Sequence, residues 1–239
     1  MGKRRVVTVV VVAALVLVGC RERIRTYDGA KGGAVQVEVL TANGSSTYSF
    51  SSTQGAMTVV PVAGTDGPSL RSVFVPKGVP TSADQESCAT WSKATGEFTQ
   101  LGAALRVHRS GSSTRAITVT QNVYGWRWIF NVHVWDTAAK TPMQLVAHLD
   151  FSKAVGSAPT PPLRLCARVI GRVVDVKLWP GGHSEPTWSD HTHVASAMLP
   201  SGWTAAGSAG WFIGHLEPGD QATFSNLSTW DYRLTATPT

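Results

Sequence analysis

The stretch WRWIFNVHVW, from Trp126 to Trp135, alternates apolar and hydrogen-bonding side chains. Successive side chains of a β-strand point to opposite faces. One face of this strand then carries Trp126, Trp128, Phe130, Val132 and Val134, and the other carries Arg127, Ile129, Asn131, His133 and Trp135. An aromatic ring can stack on the apolar face of a sugar while fixed polar groups bind its hydroxyls. The second face is therefore a candidate surface for binding a sugar.

Two neighbouring stretches repeat this mixture of polar and aromatic side chains. His148 and Asp150 alternate with apolar residues in one of them, and Asp175, Lys177 and Trp179 do so in the other. We predict one ligand-binding face made of nine residues: Arg127, Asn131, His133, Trp135, His148, Asp150, Asp175, Lys177 and Trp179. The alternative is an ordinary solvated face, with Trp128 in the core, Trp135 filling a sheet edge and loops covering the other tryptophans.

The stretch HSEPTWSDHTH crowds potential metal ligands into eleven positions. In an extended chain, His191 and His193 would point to the same side, and Asp190 or His183 could complete a zinc site. A single His-x-His pair is weak evidence, and a polar loop bounded by proline explains the same residues. We therefore expect no metal and no cofactor.

The N-terminus has the order of a secretory signal. Basic residues 3–5 precede a run from Val6 to Val18 that is apolar apart from one threonine, and this run is too short to span a membrane comfortably. The end of the run, LVGC at residues 17–20, resembles the lipobox of bacterial lipoproteins. The resemblance implies cleavage before Cys20, a lipid on its sulfur, and anchoring at the extracytoplasmic face of a bacterial cell membrane. An ordinary cleaved signal with an incidental cysteine is the alternative.

Net charge argues against nucleic acid as a partner. The chain has 21 basic and 15 acidic residues, a net charge of +6, but three of the basic residues belong to the predicted signal. The remaining surplus of three positive charges is not clustered as a nucleic-acid-binding surface would be. We expect a monomeric domain that meets the membrane through its lipid and has a polysaccharide as its possible ligand.

The two other cysteines, Cys88 and Cys166, are 78 positions apart. In an exported chain, an even pair of cysteines indicates a disulfide bond. Two buried free thiols are the alternative, since cysteine packs well as a small apolar residue.

Short stretches with a period of two recur along the chain and predict an all-β, antiparallel two-sheet β-sandwich. Residues 20–33 precede the first of them and are expected to be a membrane-proximal tether. Residues 41–67, rich in Ser, Thr and Gly, fit weak edge strands or loops equally well. The predicted strands are 34–40, 104–109, 115–122, 126–135, 144–151, 163–170, 173–179 and 210–216.

Three stretches near the C-terminus, VDVKLWPGGHSEPTW at 174–188, GSAGWFIGH at 207–215 and FSNL at 224–227, resemble a known superfamily. They are similar to the C-terminal half of concanavalin A-like jelly-roll domains, which include lectins, laminin-G-like domains and glucanases. The resemblance implies a single jelly roll over residues 34–239 and glycan binding on one sheet.

The resemblance does not carry the chemistry of the glucanase branch. That branch has Glu-x-Asp-x-x-Glu on one strand, because retaining hydrolysis needs two carboxylates about 5 Å apart. The six glutamates of this chain are never followed by aspartate two positions later, and no serine lies in a nucleophile-elbow motif. We predict a non-catalytic glycan-binding module. A structural or protein-interaction domain is the alternative, and a glycoside hydrolase is the third reading.

Overall fold

The computed structural model describes residues 21–31, 34–41, 48–53, 55–62 and 70–235. The predicted signal peptide, residues 1–19, and the predicted lipid attachment point, Cys20, lie outside the described residues. Within the described residues, no helix has the length and apolar character that crossing a membrane requires.

The described chain is almost entirely β-structure. One 3-10 turn, Gly29–Lys31, and one single-turn helix, α1 (Ser152–Val155), interrupt the strands. The strands are β1 (Arg21–Asp28), β2 (Val35–Thr41), β3 (Tyr48–Thr53), β4 (Ala56–Pro61), β5 (Arg71–Pro76), β6 (Gln85–Ala94), β7 (Gln100–Ser110), β8 (Ser113–Gln121), β9 (Ile129–Asp136), β10 (Met143–Asp150), β11 (Leu163–Ile170), β12 (Val173–Pro180), β13 (Val194–Met198), β14 (Ser208–Gly214) and β15 (Ala222–Leu234).

These strands form two antiparallel sheets, as predicted. Sheet A has the order β13-β12-β11-β6-β15-β4-β3, with β1 pairing the second half of β15 beyond the end of β4. Sheet B has the order β10-β9-β8-β7-β14-β5-β2. The main apolar core lies between the two sheets, with large aromatic contributions from Trp91 of sheet A and Trp211 of sheet B. Each sheet thus has one face in the core and one outer face.

The alternation of apolar residues explains this arrangement locally. In β9, Phe130, Val132 and Val134 are buried in the core, so Asn131, His133 and Trp135 lie on the outer face of sheet B. Strand β9 begins only at Ile129, so Trp126 and Trp128 belong to the preceding loop and not to the strand. Part of the undecided region 41–67 forms the pair β3–β4 at one end of sheet A.

The expected tether is wrong for residues 21–28. Arg21–Asp28 form β1, which pairs with the C-terminal half of β15. The strand escaped prediction because it has no apolar alternation: charged side chains occupy most of its positions. Arg23 instead packs its guanidinium 3.9 Å above the ring of Trp230, and it binds the buried carboxylate of Glu86.

The predicted disulfide is confirmed. Cys88 on β6 and Cys166 on β11 are directly opposite in the ladder, with Cα atoms 4.1 Å apart. Both cysteines are buried in a small cluster on the outer face of sheet A, beneath Trp179 and Trp230. The bond joins neighbouring strands that are far apart in the sequence.

Candidate ligand-binding groove

The outer face of sheet B contains a groove with a volume of about 140 Å³. Strands β5, β7, β8, β9, β10 and β14 and the loops after β8 and β14 contribute to it. The lining residues are Arg71, Gln100, Thr120, Tyr124, Asn131, His133, Trp135, Met143, Phe212 and His215. This volume is smaller than that of typical small-molecule sites. The lining mixes aromatic, amide, hydroxyl and basic side chains.

Trp135 forms part of the floor of the groove. It is only 1% exposed and belongs to a second apolar cluster, on the outer face of sheet B, together with Phe212 and Ala116. Its Nε1–H donates a hydrogen bond of 2.8 Å to Oγ1 of Thr118 on β8. The indole is therefore held in place and presents little surface on which a sugar could stack.

Two hydrogen-bonded pairs fix polar groups at the groove. Nδ1–H of His148 on β10 donates to Oδ1 of Asn131 on β9 at 2.7 Å, so the amide nitrogen of Asn131 points away from that bond. The hydroxyl of Tyr124 and Nδ1 of His215 are hydrogen bonded at 3.1 Å, which links the loop after β8 to the loop after β14. Such preset groups cost little to order when a ligand binds.

Two polar atoms of the groove residues have no hydrogen-bond partner among the described residues. Thr120 is 1% exposed, and its Oγ1 is buried and unpaired; Nδ1 of His133 on the neighbouring strand is also buried and unpaired. A buried donor or acceptor without a partner costs about 1–3 kcal/mol. In native proteins such groups are rare, and a bound molecule or an ordered water commonly satisfies them.

The electrostatics of the groove keep His133 neutral near pH 7. Burial is the main cause, and the charge of Arg71 and the neighbouring His148 add to it, so the pKa of His133 is lowered to about 4. Burial also lowers the pKa of Arg71, which stays far above neutrality as arginine does. Arg71 is thus the fixed positive charge among the groove residues.

Exposed aromatic rings flank the groove at the loop between β8 and β9. Tyr124 is 65% exposed and stacks against Phe98 with ring centroids 5.4 Å apart. Trp126, which is 66% exposed, lies in the same loop and packs against Trp128. Clustered exposed aromatic side chains commonly mark a binding surface.

The structure brings together only part of the predicted face. Asn131, His133 and Trp135 line the groove and His148 lies beside it. Arg127 lies in the loop before β9, where its guanidinium donates to the carbonyl of Glu97 and faces a different pocket. Asp150 accepts a 2.7 Å hydrogen bond from the backbone N–H of Ser152 at the start of α1, and this bond lowers its pKa. Both are therefore explained by local contacts.

The prediction of a single face is wrong for Asp175, Lys177 and Trp179. They lie on β12, whose outer face belongs to sheet A, on the opposite side of the sandwich. Asp175 binds Arg168 at 2.9 Å, and Trp179 is buried against the disulfide. Lys177 is 2% exposed and donates to Glu185 at 2.7 Å and to the carbonyl of Pro186 at 2.9 Å. These contacts hold the 181–193 loop against the sheet.

The histidine-rich loop is also explained by its own contacts. Nδ1 of His193 binds the carboxylate of Asp190 at 2.9 Å, and Asp190 also accepts from the backbone N–H of Thr192. Glu185, the one glutamate of this loop, is the partner of Lys177. Its pKa is lowered, chiefly because that bond and the charge of Lys177 outweigh the effect of burial. A lowered pKa is the opposite of what a catalytic acid needs at neutral pH.

Sequence reasoning missed seven of the ten residues that line the groove: Arg71, Gln100, Thr120, Tyr124, Met143, Phe212 and His215. Strand β5 was not predicted, and His215 lies in the loop after β14, so no local pattern connects them with β9. Thr120 was in a predicted strand, and its outward position follows from the core positions of Ile117 and Val119. Its contribution could have been read from that alternation.

No protein-family model matches the chain, and no curated protein matches it. Solved structures match over most of its length, although at low identity. The CBM2 module of the evolved Dit protein of Lactobacillus casei BL23 phage J-1 has a TM-score of 0.51 at 10% identity, covering 91% of this chain and 99% of that one. A Bacillus subtilis protein with a galectin-like fold has a TM-score of 0.51 at 9% identity, covering 90% and 100%.

A third match is the exoplasmic/lumenal domain of VIP36 in its Ca²⁺/Man2-bound form. It has a TM-score of 0.51 at 11% identity and covers 90% of each chain. These likenesses concern the fold. The chain has a concanavalin A-like jelly-roll fold.

Proposed function

We propose that the protein is a carbohydrate-binding module that holds a short stretch of glycan in the groove of sheet B. The observation that carries the proposal is the preset polar network of the groove, with the bonded pairs Asn131–His148 and Tyr124–His215, beside the exposed ring of Tyr124. Sugar hydroxyls donate and accept hydrogen bonds and can pair with such fixed polar groups, while a ring at the rim stacks on the sugar.

The fold supports this proposal without deciding it. Of the three structures described above, one is a CBM2 module and one contains Man2. A jelly roll also serves many other purposes. The argument for a sugar therefore depends on the groove itself, which combines a preset polar network with exposed aromatic rings.

Binding rather than hydrolysis is proposed because none of the described residues that line the groove is Asp or Glu. Glycoside hydrolases of the common kinds place two carboxylates on either side of the scissile bond. The groove residues instead offer amides, hydroxyls and basic groups, which suit recognition of a ligand.

The test is binding of the full chain, solubilised in mild detergent, to an array of envelope oligosaccharides, followed by calorimetry on the strongest binder. Tyr124→Ala should lower the affinity about three- to tenfold, since aromatic stacking contributes on the order of 0.5–1.5 kcal/mol. Met198→Ala is the matched control, because Met198 is also strongly exposed but lies on β13 of sheet A.

Three results would count against the proposal. The first is a folded protein that binds no member of the array, which would favour a protein-interaction domain. The second is equal affinity for Tyr124→Ala and the unaltered chain. The third is an equal loss of affinity in Met198→Ala, which would place the ligand elsewhere.

We further propose that Cys20 carries a lipid that anchors the module to the bacterial membrane. If so, the module lies close to the bilayer, because β1 begins at Arg21, one residue after the anchor. The test is metabolic labelling with radioactive palmitate. Label should be incorporated by the unaltered chain and lost in Cys20→Ser. Equal labelling of both, or a chain without label, would reject the anchor.

A further inference from the structure

We propose that the glycan in the groove carries an anionic group, a carboxylate or a sulfate ester, that binds next to Arg71. This inference rests on the proposed function and names the class of sugar. It follows from the charge of the groove, which no sequence pattern indicated.

The charge of the described lining is positive or neutral at every position. Arg71, His133 and His215 contribute basic groups from three separate parts of the chain, and the described lining contains no carboxylate. A lining that contains a fixed cation and no carboxylate is complementary to an anion.

Arg71 is placed where it can act on a ligand. Its guanidinium lies 5.9 Å from the centre of the Trp135 ring, at the floor of the groove, and is partly buried. Burial lowers its pKa, so the positive charge is held in a site of reduced solvation. An anion near such a charge is bound more strongly than it would be in open water. Arginine also offers the paired donors that match a carboxylate or sulfate group.

His133 gives this binding a dependence on pH. The titratable groups at the groove around it are Arg71 on β5, Tyr124 in the loop after β8, His148 on β10 and His215 after β14. Its other close strand neighbours, Thr118 and Leu145, do not titrate.

The groups around His133 determine whether the affinity for an anion rises or falls with pH. An anion in the groove raises the pKa of His133 above its free value of about 4, because it opposes burial and the charge of Arg71. Binding then takes up a proton, and the affinity rises as the pH falls from 7 toward 5. A sugar carboxylate, with a pKa of about 4, stays largely ionised over that interval. A neutral sugar does not raise the pKa of His133, so its affinity should not increase as the pH falls.

The experiment uses paired probes on the full chain in detergent. Each acidic oligosaccharide of the panel, such as a trigalacturonate, is compared with its carboxyl-reduced neutral form, and a sulfated neutral oligosaccharide tests the second kind of anion. We expect the acidic member to bind at least tenfold more tightly than its neutral partner at pH 7. We also expect its affinity to rise by about threefold or more between pH 7 and pH 5.

Arg71→Gln should abolish the preference for the acidic probe, so that the ratio of the affinities for the acidic and the neutral member of a pair falls to about one. Arg71→Lys keeps the positive charge and should retain part of the preference, so it tests the idea even if Arg71→Gln fails to fold. Equal affinity for both members of a pair, or a preference that survives in every Arg71 variant, overturns the inference. Binding of neutral probes alone overturns it but leaves the proposed function standing, whereas no binding to any probe rejects both.

Discussion

The indole Nε1–H of Trp135 and Oγ1 of Thr118 form a 2.8 Å hydrogen bond between β9 and β8, on the outer face of sheet B. This bond makes Trp135 a structural part of the groove floor. Trp135→Ala should lower the free energy of unfolding by about 3–5 kcal/mol, since it removes a fully buried ring. Trp135→Phe keeps an aromatic ring and should cost less, about 1–3 kcal/mol.

Urea unfolding followed by circular dichroism measures both Trp135 variants. A small cost for Trp135→Ala, below about 1 kcal/mol, would contradict the buried position. Loss of sugar binding in that variant does not by itself identify a contact with the sugar. The exposed Tyr124 is the better probe of stacking.

His133 should make the domain less stable in mild acid. Its pKa is about 4 in the folded chain, against 6.5 for an ordinary histidine, so the unfolded chain binds more protons between these values. Stability is therefore greatest above pH 6.5 and falls as the pH decreases toward 4, by at most about 3 kcal/mol. His133→Gln removes this titration and should flatten that part of the curve.

The measurement is urea unfolding at half-unit steps from pH 7.5 to pH 4. His183→Gln is the control, because it replaces an exposed histidine in the 181–193 loop and should leave the curve unchanged. If the unaltered chain and His133→Gln lost stability in parallel, the burial of His133 would not be the cause.

The disulfide should contribute strongly to stability. It closes a loop between positions 78 apart, for which chain entropy predicts about 4 kcal/mol. Replacing both Cys88 and Cys166 by alanine should lower the free energy of unfolding by about 2–4 kcal/mol in urea. Because both sulfurs are buried beneath tryptophans, a reductant should act on the native chain only slowly. Rapid reduction without unfolding would contradict that burial.

The alternation of side chains was enough to predict an antiparallel two-sheet sandwich, although it gave only eight of the fifteen strands in the described residues. It assigned Phe130, Val132 and Val134 to one side of β9, and these residues are in the core. Prediction failed where alternation was absent, as in β1. This strand is held by its pairing with β15 and by arginine–tryptophan contacts, and neither kind of contact leaves a pattern in the nearby sequence. The uncertainty over 41–67 has the same origin, since β3 lies at the end of a sheet and is short.

The ligand face could be predicted only strand by strand. Alternation shows which residues of a strand face outward, but not which sheet the strand joins. Asn131 and Asp175 both face outward, yet β9 is in sheet B and β12 is in sheet A. The pairing that separates them is set by contacts between distant parts of the chain. For the same reason no pattern around β9 could have indicated Arg71, which reaches the groove from β5.

Thr120→Val separates a binding role from a structural one. The unpaired Oγ1 of Thr120 costs free energy in the unliganded protein, so its replacement by a methyl group of similar shape should raise the stability by about 1 kcal/mol. The hydroxyl has almost no exposed surface in the unliganded protein, and we expect it to turn toward the sugar on binding. The same change should then weaken glycan binding about tenfold. Functional sites commonly lower stability in this way.

Thr118→Val is the matched control on the same strand and the same face. Its Oγ1 already accepts a hydrogen bond from Trp135, so its loss leaves a buried indole N–H unpaired. This variant should lower the stability by about 1–3 kcal/mol. Opposite signs for the two threonines would indicate that Thr120 is kept for a ligand. If Thr120→Val were as destabilising as Thr118→Val, the hydroxyl of Thr120 would have a partner within the protein and would no longer indicate a binding role.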